Sequence, residues 1–155
     1  MTPEACVQAQ RLTLPDPPVP LGAYVPAVEA DRLLFVSGML PVREGRPVSS
    51  GRLGERLSVA EGRNAARLAA LNGLAVAQTV LGSLNRIKRL VRLTVYIAAA
   101  PEFSEHAAVA DGASEVLAAV FSDGGGHARL AVGVSSLPAQ MPVELELLFQ
   151  LQEAE

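Results

Sequence analysis

The stretch SVAEGRNAARLAALNGLAVAQTVLG, residues 58–82, decides the fold because it carries the clearest helix signal in the chain. Ser58 and Glu61 form the Ser-x-x-Glu pattern of a capping box, and Gly82 stands where such a helix ends. Between them, good helix formers place apolar residues near helical spacing. The stretch therefore predicts a long helix with one face against a core.

Directly after this helix, RLVRLTVYIAAA at 89–100 alternates in the manner of a strand. One predicted face is wholly apolar and consists of Val91, Leu93, Val95 and Ile97. The other face is mixed and consists of Leu90, Arg92, Thr94 and Tyr96. A strand beside a core is predicted.

A second helix is predicted within 102–121, EFSEHAAVADGASEVLAAVF. Asp111 and Gly112 disfavour a helix interior, so we expect a turn or a separate start before them and a helix from about Ala113.

The remaining segments complete an α+β pattern. Residues 1–19 are expected to form an extended N-terminal segment, and the four prolines of 14–24 exclude a helix there. LLFVSGML at 33–40 indicates a strand of an opening hairpin, and 43–57 is expected to be a surface loop without packing obligations. Two strands within 128–136 and 142–152 follow, so both helices are predicted to cover one face of a mixed sheet.

Composition bounds the function classes. The 155 residues suit one domain, and 50% hydrophobic content is ample for a single core. The net charge of −3 disfavours binding to nucleic acid or to an acidic membrane. The single Cys6 has no spacing typical of a metal site, and we expect neither a metal nor a cofactor. No leader pattern or membrane-length apolar run is visible, which predicts a soluble cytoplasmic protein.

The last two strands carry the candidate chemistry. Alternation places Glu144 and Glu146 on the face opposite the apolar residues of their strand. By the same rule Arg129 shares a face with small residues, namely Ala131, Gly133 and Ser135, which would leave room for a ligand or a neighbouring backbone. Such a face is expected to be covered by another subunit.

Arg129 stands alone at the start of an apolar run. A guanidinium suits the binding of a carboxylate or phosphate, but an arginine at a strand end can equally form an ordinary ion pair or extend into solvent. A simple hairpin centred near Ala139 would set Arg129 opposite residues around 149, so sequence spacing does not bring Arg129 and Glu144 together.

Five motifs in order, GAYVPAV, LLFVSGMLP, VRLTVYIA, HARLAVGVSSLP and VELEL, resemble the YjgF family, also called RidA, the reactive intermediate deaminases once labelled L-PSP endoribonucleases. The resemblance covers about residues 20–151. It implies a chorismate-mutase-like homotrimer with clefts between subunits. There, enamine or imine intermediates would be hydrolysed to 2-keto acids and ammonia.

The resemblance also implies site residues. Arg129 matches the arginine that binds the substrate carboxylate, and Glu144, 15 residues later, matches the acidic residue that positions or activates water. Tyr24, Ser37 and Gly38 match residues that supply contacts near the carboxylate.

The chain departs from the family pattern at three places. Ala131, which the resemblance also places among the substrate-binding residues, stands where the family often has a cysteine. The arginine follows Gly-Gly-His-Ala, and Ala23 precedes the tyrosine. These departures resemble a divergent branch of slightly longer chains.

Alternatives remain open for both residues and function. Glu144 could be an ordinary strand carboxylate, Tyr24 a core or interface aromatic, and His127 a turn residue or a second-rank acid-base candidate. Besides a deaminase acting on 2-imino acids, a trimer that binds small carboxylates such as keto acids without turnover is possible. An endoribonuclease or translation inhibitor ranks last, because no basic, aromatic-rich surface is visible.

Overall fold

The structure, a computed structural model, describes residues 1–153 of the chain. Its helices are α1 (Pro3–Ala9), α2 (Val59–Leu81) and α3 (His106–Val120). Its strands are β1 (Ala27–Ala30), β2 (Leu33–Met39), β3 (Val42–Arg43), β4 (Arg46–Pro47), β5 (Ile87–Ala98), β6 (Ala128–Val134) and β7 (Val143–Leu151). None of the helices in this part of the chain has the length and apolar character needed to span a membrane.

One sheet organises the molecule, with strand order β1-β2-β7-β5-β6. β5 and β6 are parallel, and the other neighbouring strands are antiparallel, so the sheet is mixed as predicted. A simple hairpin of β6 and β7 does not form, because β5 lies between these two strands. The chain after β6 must therefore cross β5 before β7 can pair.

The long helix α2 confirms the sequence prediction. The Ser58 hydroxyl accepts a hydrogen bond from the Glu61 amide at 3.3 Å, and the Glu61 carboxylate accepts one from the Ser58 amide at 2.7 Å. Gly82 ends the helix with a left-handed φ of 78°. Small residues let α2 lie close to the sheet: a Cβ on Gly73 would come within 2.4 Å of the Leu147 side chain.

The second helix differs from expectation, since α3 runs without interruption through Asp111 and Gly112. The physical reason is the packing of α3 on α2. A Cβ at Gly112 would lie 2.2 Å from the backbone oxygen of Arg63, so only glycine permits this approach. Close helix packing outweighs the low helix propensity of glycine here.

The N-terminal segment is corrected in part. Residues 3–9 form α1 instead of an extended segment, because Thr2 caps the helix by accepting from the Ala5 amide and Pro3 occupies the first turn. Cys6 is the buried residue of this helix. The proline-rich residues that follow contain neither helix nor strand, as predicted.

The 43–57 segment also packs more than expected. β3 and β4 form a small hairpin of their own, and Leu53 and Leu57 are buried in the core. Leu53 exchanges backbone hydrogen bonds with Ala98 and Ala100 at 2.9 Å. Leu53 thereby attaches the segment to the end of β5, and because both leucines are buried, the expectation of a loop without packing obligations is wrong.

The faces of β5 follow the prediction only in its second half. The register between β5 and β7 shifts between Leu90 and Arg92, which is the mark of a bulge. Leu90 is buried as a result, whereas Val91 is only half-buried. From Leu93 onward the apolar face points to the helices as predicted.

Candidate functional site

The two faces of the sheet carry different parts of the predicted site. Because cross-strand partners share a face, Glu144 lies beside Tyr96, and Arg129 lies beside Leu93, which is fully buried under the helices. Glu144 therefore lies on the face away from the helices, which we call the open face. Arg129 lies on the helix-covered face, at the sheet edge formed by β6.

Glu144 is placed by a bulge in β2. Val36 pairs with Leu147 and Met39 pairs with Leu145, so the two residues between them on β2, Ser37 and Gly38, oppose the single residue Glu146 on β7. The bulge brings Gly38 against the Glu144 side chain: a Cβ on Gly38 would lie 2.2 Å from Glu144 Oε1. Only glycine at this position leaves room for the carboxylate.

Partial burial changes the chemistry of Glu144. Desolvation raises the pKa of this carboxyl above its ordinary value, and the neighbouring Glu146 raises it further by charge repulsion. No hydrogen-bond donor within residues 1–153 contacts the carboxylate. A carboxylate of this kind is a better proton acceptor than one in bulk water.

An open cavity of about 630 Å³ surrounds Glu144. We call it the Glu144 cavity; it is lined by Leu21, Tyr24, Ser37, Gly38, Leu40, Pro138 and Glu144. The Tyr24 hydroxyl accepts a hydrogen bond from the Leu21 amide at 3.1 Å, and the Ser37 hydroxyl donates to the Val25 carbonyl at 2.8 Å. The first bond closes a turn within the segment before β1, and the second ties that segment to β2 beside the cavity.

A second cavity of about 360 Å³ adjoins the first and shares Leu21, Tyr24, Gly38 and Leu40 with it. Its lining is mostly apolar and includes the proline-rich residues 16–21. Asn72 of α2, which is buried, supports its wall by donating from Nδ2 to the carbonyls of Leu40 and Val42, both at 2.9 Å. The sequence offered one clue to this role, a polar residue on an otherwise apolar helix face.

Arg129 has partners on α3. Its Nη1 donates to Asp111 Oδ1 at 2.6 Å and to Ser114 Oγ at 3.1 Å, and its side chain is 25% exposed. Ser114 Oγ also bonds His127 Nε2 at 3.0 Å. Burial, followed by the charge of Arg129, lowers the pKa of His127, which favours a neutral ring. We call these four residues the Arg129 cluster.

The expected small-residue face is packed in part. Ala131 packs against the hydrophobic core, and a Cβ on Gly133 would lie 2.6 Å from His106 Nε2 on α3. Arg129, Gly133 and Ser135 remain exposed, so the binding of a ligand or another subunit at this face stays a prediction. Within one chain, Ala131 is therefore a packing residue.

The structure thus divides the predicted residues into two groups. Tyr24, Ser37 and Gly38 lie together with Glu144, whereas Arg129 and Ala131 lie on the other face of the sheet. Sequence reasoning missed Asp111 and Ser114. The available signal was their spacing of three, which places both on one face of a helix.

Fold and site together define an α+β protein with two helices packed across one sheet face and a half-buried carboxylate in a cavity on the other. Comparison with known proteins identifies this class. Residues 4–151 match the family described as "YjgF/chorismate_mutase-like, putative endoribonuclease". The chain belongs to this family.

Three relatives show where the chain stands within it. "Protein TCP17" of Trypanosoma cruzi is 40% identical over 95% of this chain and 92% of its own length. The structure of a putative endoribonuclease from Shewanella oneidensis is 33% identical, with a TM-score of 0.92 over 97% of this chain and 100% of that one. RidA from an Antarctic Psychrobacter is 26% identical, with a TM-score of 0.61 over 88% and 94% of the two chains. The chain is thus nearer in shape to the Shewanella protein than to RidA.

Proposed function

We propose that this protein hydrolyses reactive 2-iminocarboxylates, and their enamine tautomers, to 2-keto acids and ammonia. The observation that carries the proposal is Glu144, a half-buried carboxylate with a raised pKa beside Gly38 in an open cavity. Its position in the sequence matches the water-activating acid of the reactive intermediate deaminases, and RidA is among the structural relatives.

The chemistry requires one proton acceptor and one oriented water. Glu144 accepts a proton from water as the water oxygen bonds to the carbon of the protonated imine and the C=N π electrons move to nitrogen, which gives a neutral carbinolamine. Glu144 returns that proton to the amino nitrogen. As the C–N bond breaks and its electrons leave with ammonia, the carbinolamine hydroxyl gives its proton to the Glu144 carboxylate, and the products are a 2-keto acid and ammonia. A carboxylate with a raised pKa suits both steps, since it must take up a proton and return it.

Arg129 cannot join Glu144 within one chain, because the two residues lie on opposite faces of the sheet. We therefore propose that the site forms between subunits of a homotrimer, with Arg129 of one copy binding the substrate carboxylate beside Glu144 of the next. The open face supports association, because Val28, Phe35 and Leu130 are about half exposed there and another subunit could bury them.

The adjoining apolar cavity suggests where the substrate side chain lies. It opens from the Glu144 cavity through shared residues and has room for a branched or aromatic side chain. We expect imines of leucine or phenylalanine to be accepted together with that of alanine.

An imine-hydrolysis assay tests the proposal. Imines are generated in place from several amino acids by an amino-acid oxidase, and their loss is followed with wild type and with Arg129→Ala and Glu144→Gln. Wild type should accelerate imine loss, and both variants should abolish that acceleration. Arg86→Ala, which removes an arginine paired with Glu29 at the surface, serves as the matched control and should remain active.

A second function, binding of small carboxylates without turnover, is favoured by one observation. Arg129 is already held by Asp111 and Ser114, away from Glu144. Keto-acid binding that depends on Arg129, with no imine hydrolysis by wild type, would establish that function instead. RNA cleavage that survives Arg129→Ala would support an endoribonuclease function, which no feature of the described surface favours.

A further inference from the structure

Within the Arg129 cluster, only one nitrogen of the Arg129 guanidinium, Nη1, makes hydrogen bonds. Both bonds from Arg129, to Asp111 Oδ1 and to Ser114 Oγ, come from Nη1. Within residues 1–153 neither Nε nor Nη2 has a hydrogen-bond partner. The N–H groups of Nε and Nη2 point in parallel along one edge of the guanidinium, and this edge can bind a carboxylate through two hydrogen bonds.

We propose that Asp111 and Ser114 are positioning residues, which hold Nη1 of Arg129 so that its Nε–Nη2 edge stays available for the substrate carboxylate. This inference rests on the proposed function and names the residues that set its carboxylate site. Two acceptors on one nitrogen restrict rotation of the guanidinium plane. An arginine restricted in this way loses less freedom when it binds its ligand.

His127 completes the arrangement. Ser114 Oγ accepts from Arg129, so its own proton is free to be donated to His127 Nε2, which lies 3.0 Å away. A neutral imidazole ring offers an acceptor nitrogen for this bond. In the tautomer whose Nε2 carries no proton, the Ser114 hydroxyl is oriented from both sides, and its lone pair faces Arg129.

A rival reading of the same contacts is competition. Asp111 could neutralise Arg129 and be displaced by the substrate, in which case removing Asp111 would strengthen carboxylate binding. The free Nε–Nη2 edge argues against this reading, because a ligand carboxylate can bind there without breaking either existing bond. The two readings predict opposite effects of the same substitution.

The test compares variants of α3. Asp111→Ala and Ser114→Ala should each weaken binding of 2-oxobutanoate, measured by calorimetry, by about tenfold, the usual effect of losing one hydrogen bond to a charged group. For imine hydrolysis the same variants should raise KM and leave kcat nearly unchanged. Asp111→Asn, which keeps an acceptor oxygen, should restore part of the affinity. Glu115→Ala is the matched control, because it removes a carboxylate of the same helix that pairs with Arg63.

The possible outcomes are separable. Unchanged or tighter 2-oxobutanoate binding by Asp111→Ala, with wild type active on imines, would overturn the positioning role and leave the proposed function standing. Wild type that binds 2-oxobutanoate but hydrolyses no imine would overturn the deaminase alone, and the affinity series would still decide the positioning role. Wild type that neither binds nor hydrolyses would overturn both. All variants should keep the wild-type melting temperature within a few degrees, since partly exposed ion pairs contribute little stability.

Discussion

The helix-covered face and the open face of the sheet surround a charged residue with different contacts. On the helix-covered face Arg129 has protein partners, Asp111 and Ser114. On the open face Glu144 has none within the described residues, and a glycine makes room for it. On the first face one nitrogen of the charged group is bound by protein partners, whereas on the second the charged group has no protein partner among the described residues.

This difference explains why one chain does not form a complete site. Strand alternation sends Arg129 and Glu144 to opposite faces, and no adjustment of side chains can reverse that. Arg129 nevertheless stands on the edge strand β6, where a neighbouring copy can approach. The proposed site therefore depends on association, and the strongest tests are those that separate the two residues between copies.

Mixing two inactive variants should have the largest effect. Arg129→Ala and Glu144→Gln are each expected to lack imine hydrolysis. Random assembly of equal amounts into trimers should restore about a quarter of the sites, because each site then needs an intact Arg129 from one copy and an intact Glu144 from the next. The measurement is imine hydrolysis after joint refolding. No recovery in verified mixed trimers would show that the site is not shared.

Gly38→Ala tests whether catalysis depends on the placement of Glu144 on the open face. The new Cβ would collide with the Glu144 carboxylate, a flexible group that can move aside, so the fold should survive while the carboxylate is displaced. We expect kcat to fall about 100-fold with little change in melting temperature. Gly22→Ala is the control, since its Cβ would meet only an ordinary contact of 3.5 Å with the Tyr24 ring. Full activity of Gly38→Ala would exclude a catalytic role for this placement of Glu144.

Gly112→Ala should show the opposite behaviour on the helix-covered face. The added Cβ would meet the backbone of Arg63, which cannot move as a side chain does. We expect a loss of about 1–3 kcal/mol in the free energy of unfolding, measured by urea denaturation. Activity of the folded fraction should persist. Ala107→Ser, at an exposed position of the same helix, should leave stability almost unchanged.

The smallest expected effect is the pH dependence of Glu144→Gln. The pKa of Glu144 is raised in the folded protein above the ordinary value of 4.5. The contribution of this group to the free energy of unfolding is therefore fully present below pH 4.5 and is lost as pH rises through the raised pKa. Glu144→Gln removes this loss. Its melting temperature should exceed that of wild type at pH 7, and the difference should shrink towards pH 4.5. A constant difference across this range would mean that burial does not penalise the Glu144 charge.

Local patterns of the sequence were sufficient for several elements. The capping box and Gly82 gave the bounds of α2, and alternation gave the faces of β7. The prediction that α3 begins only after the Asp111-Gly112 pair was wrong. Gly112 is inside the helix because it allows close packing against Arg63, about 50 residues away along the chain. The burial of Leu53 likewise depends on backbone bonds with the distant end of β5.

The sequence by itself determined α2, the faces of β7 and the family resemblance, since these depend on near neighbours and on the order of motifs. Only the tertiary structure decided that β5 separates β6 from β7, and hence that Arg129 and Glu144 do not meet in one chain. It also decided that Arg129 binds Asp111 and Ser114, and that a bulge seats Glu144 against Gly38. The physical reason is that strand order and helix packing follow from the burial of the whole apolar surface, which no local spacing records.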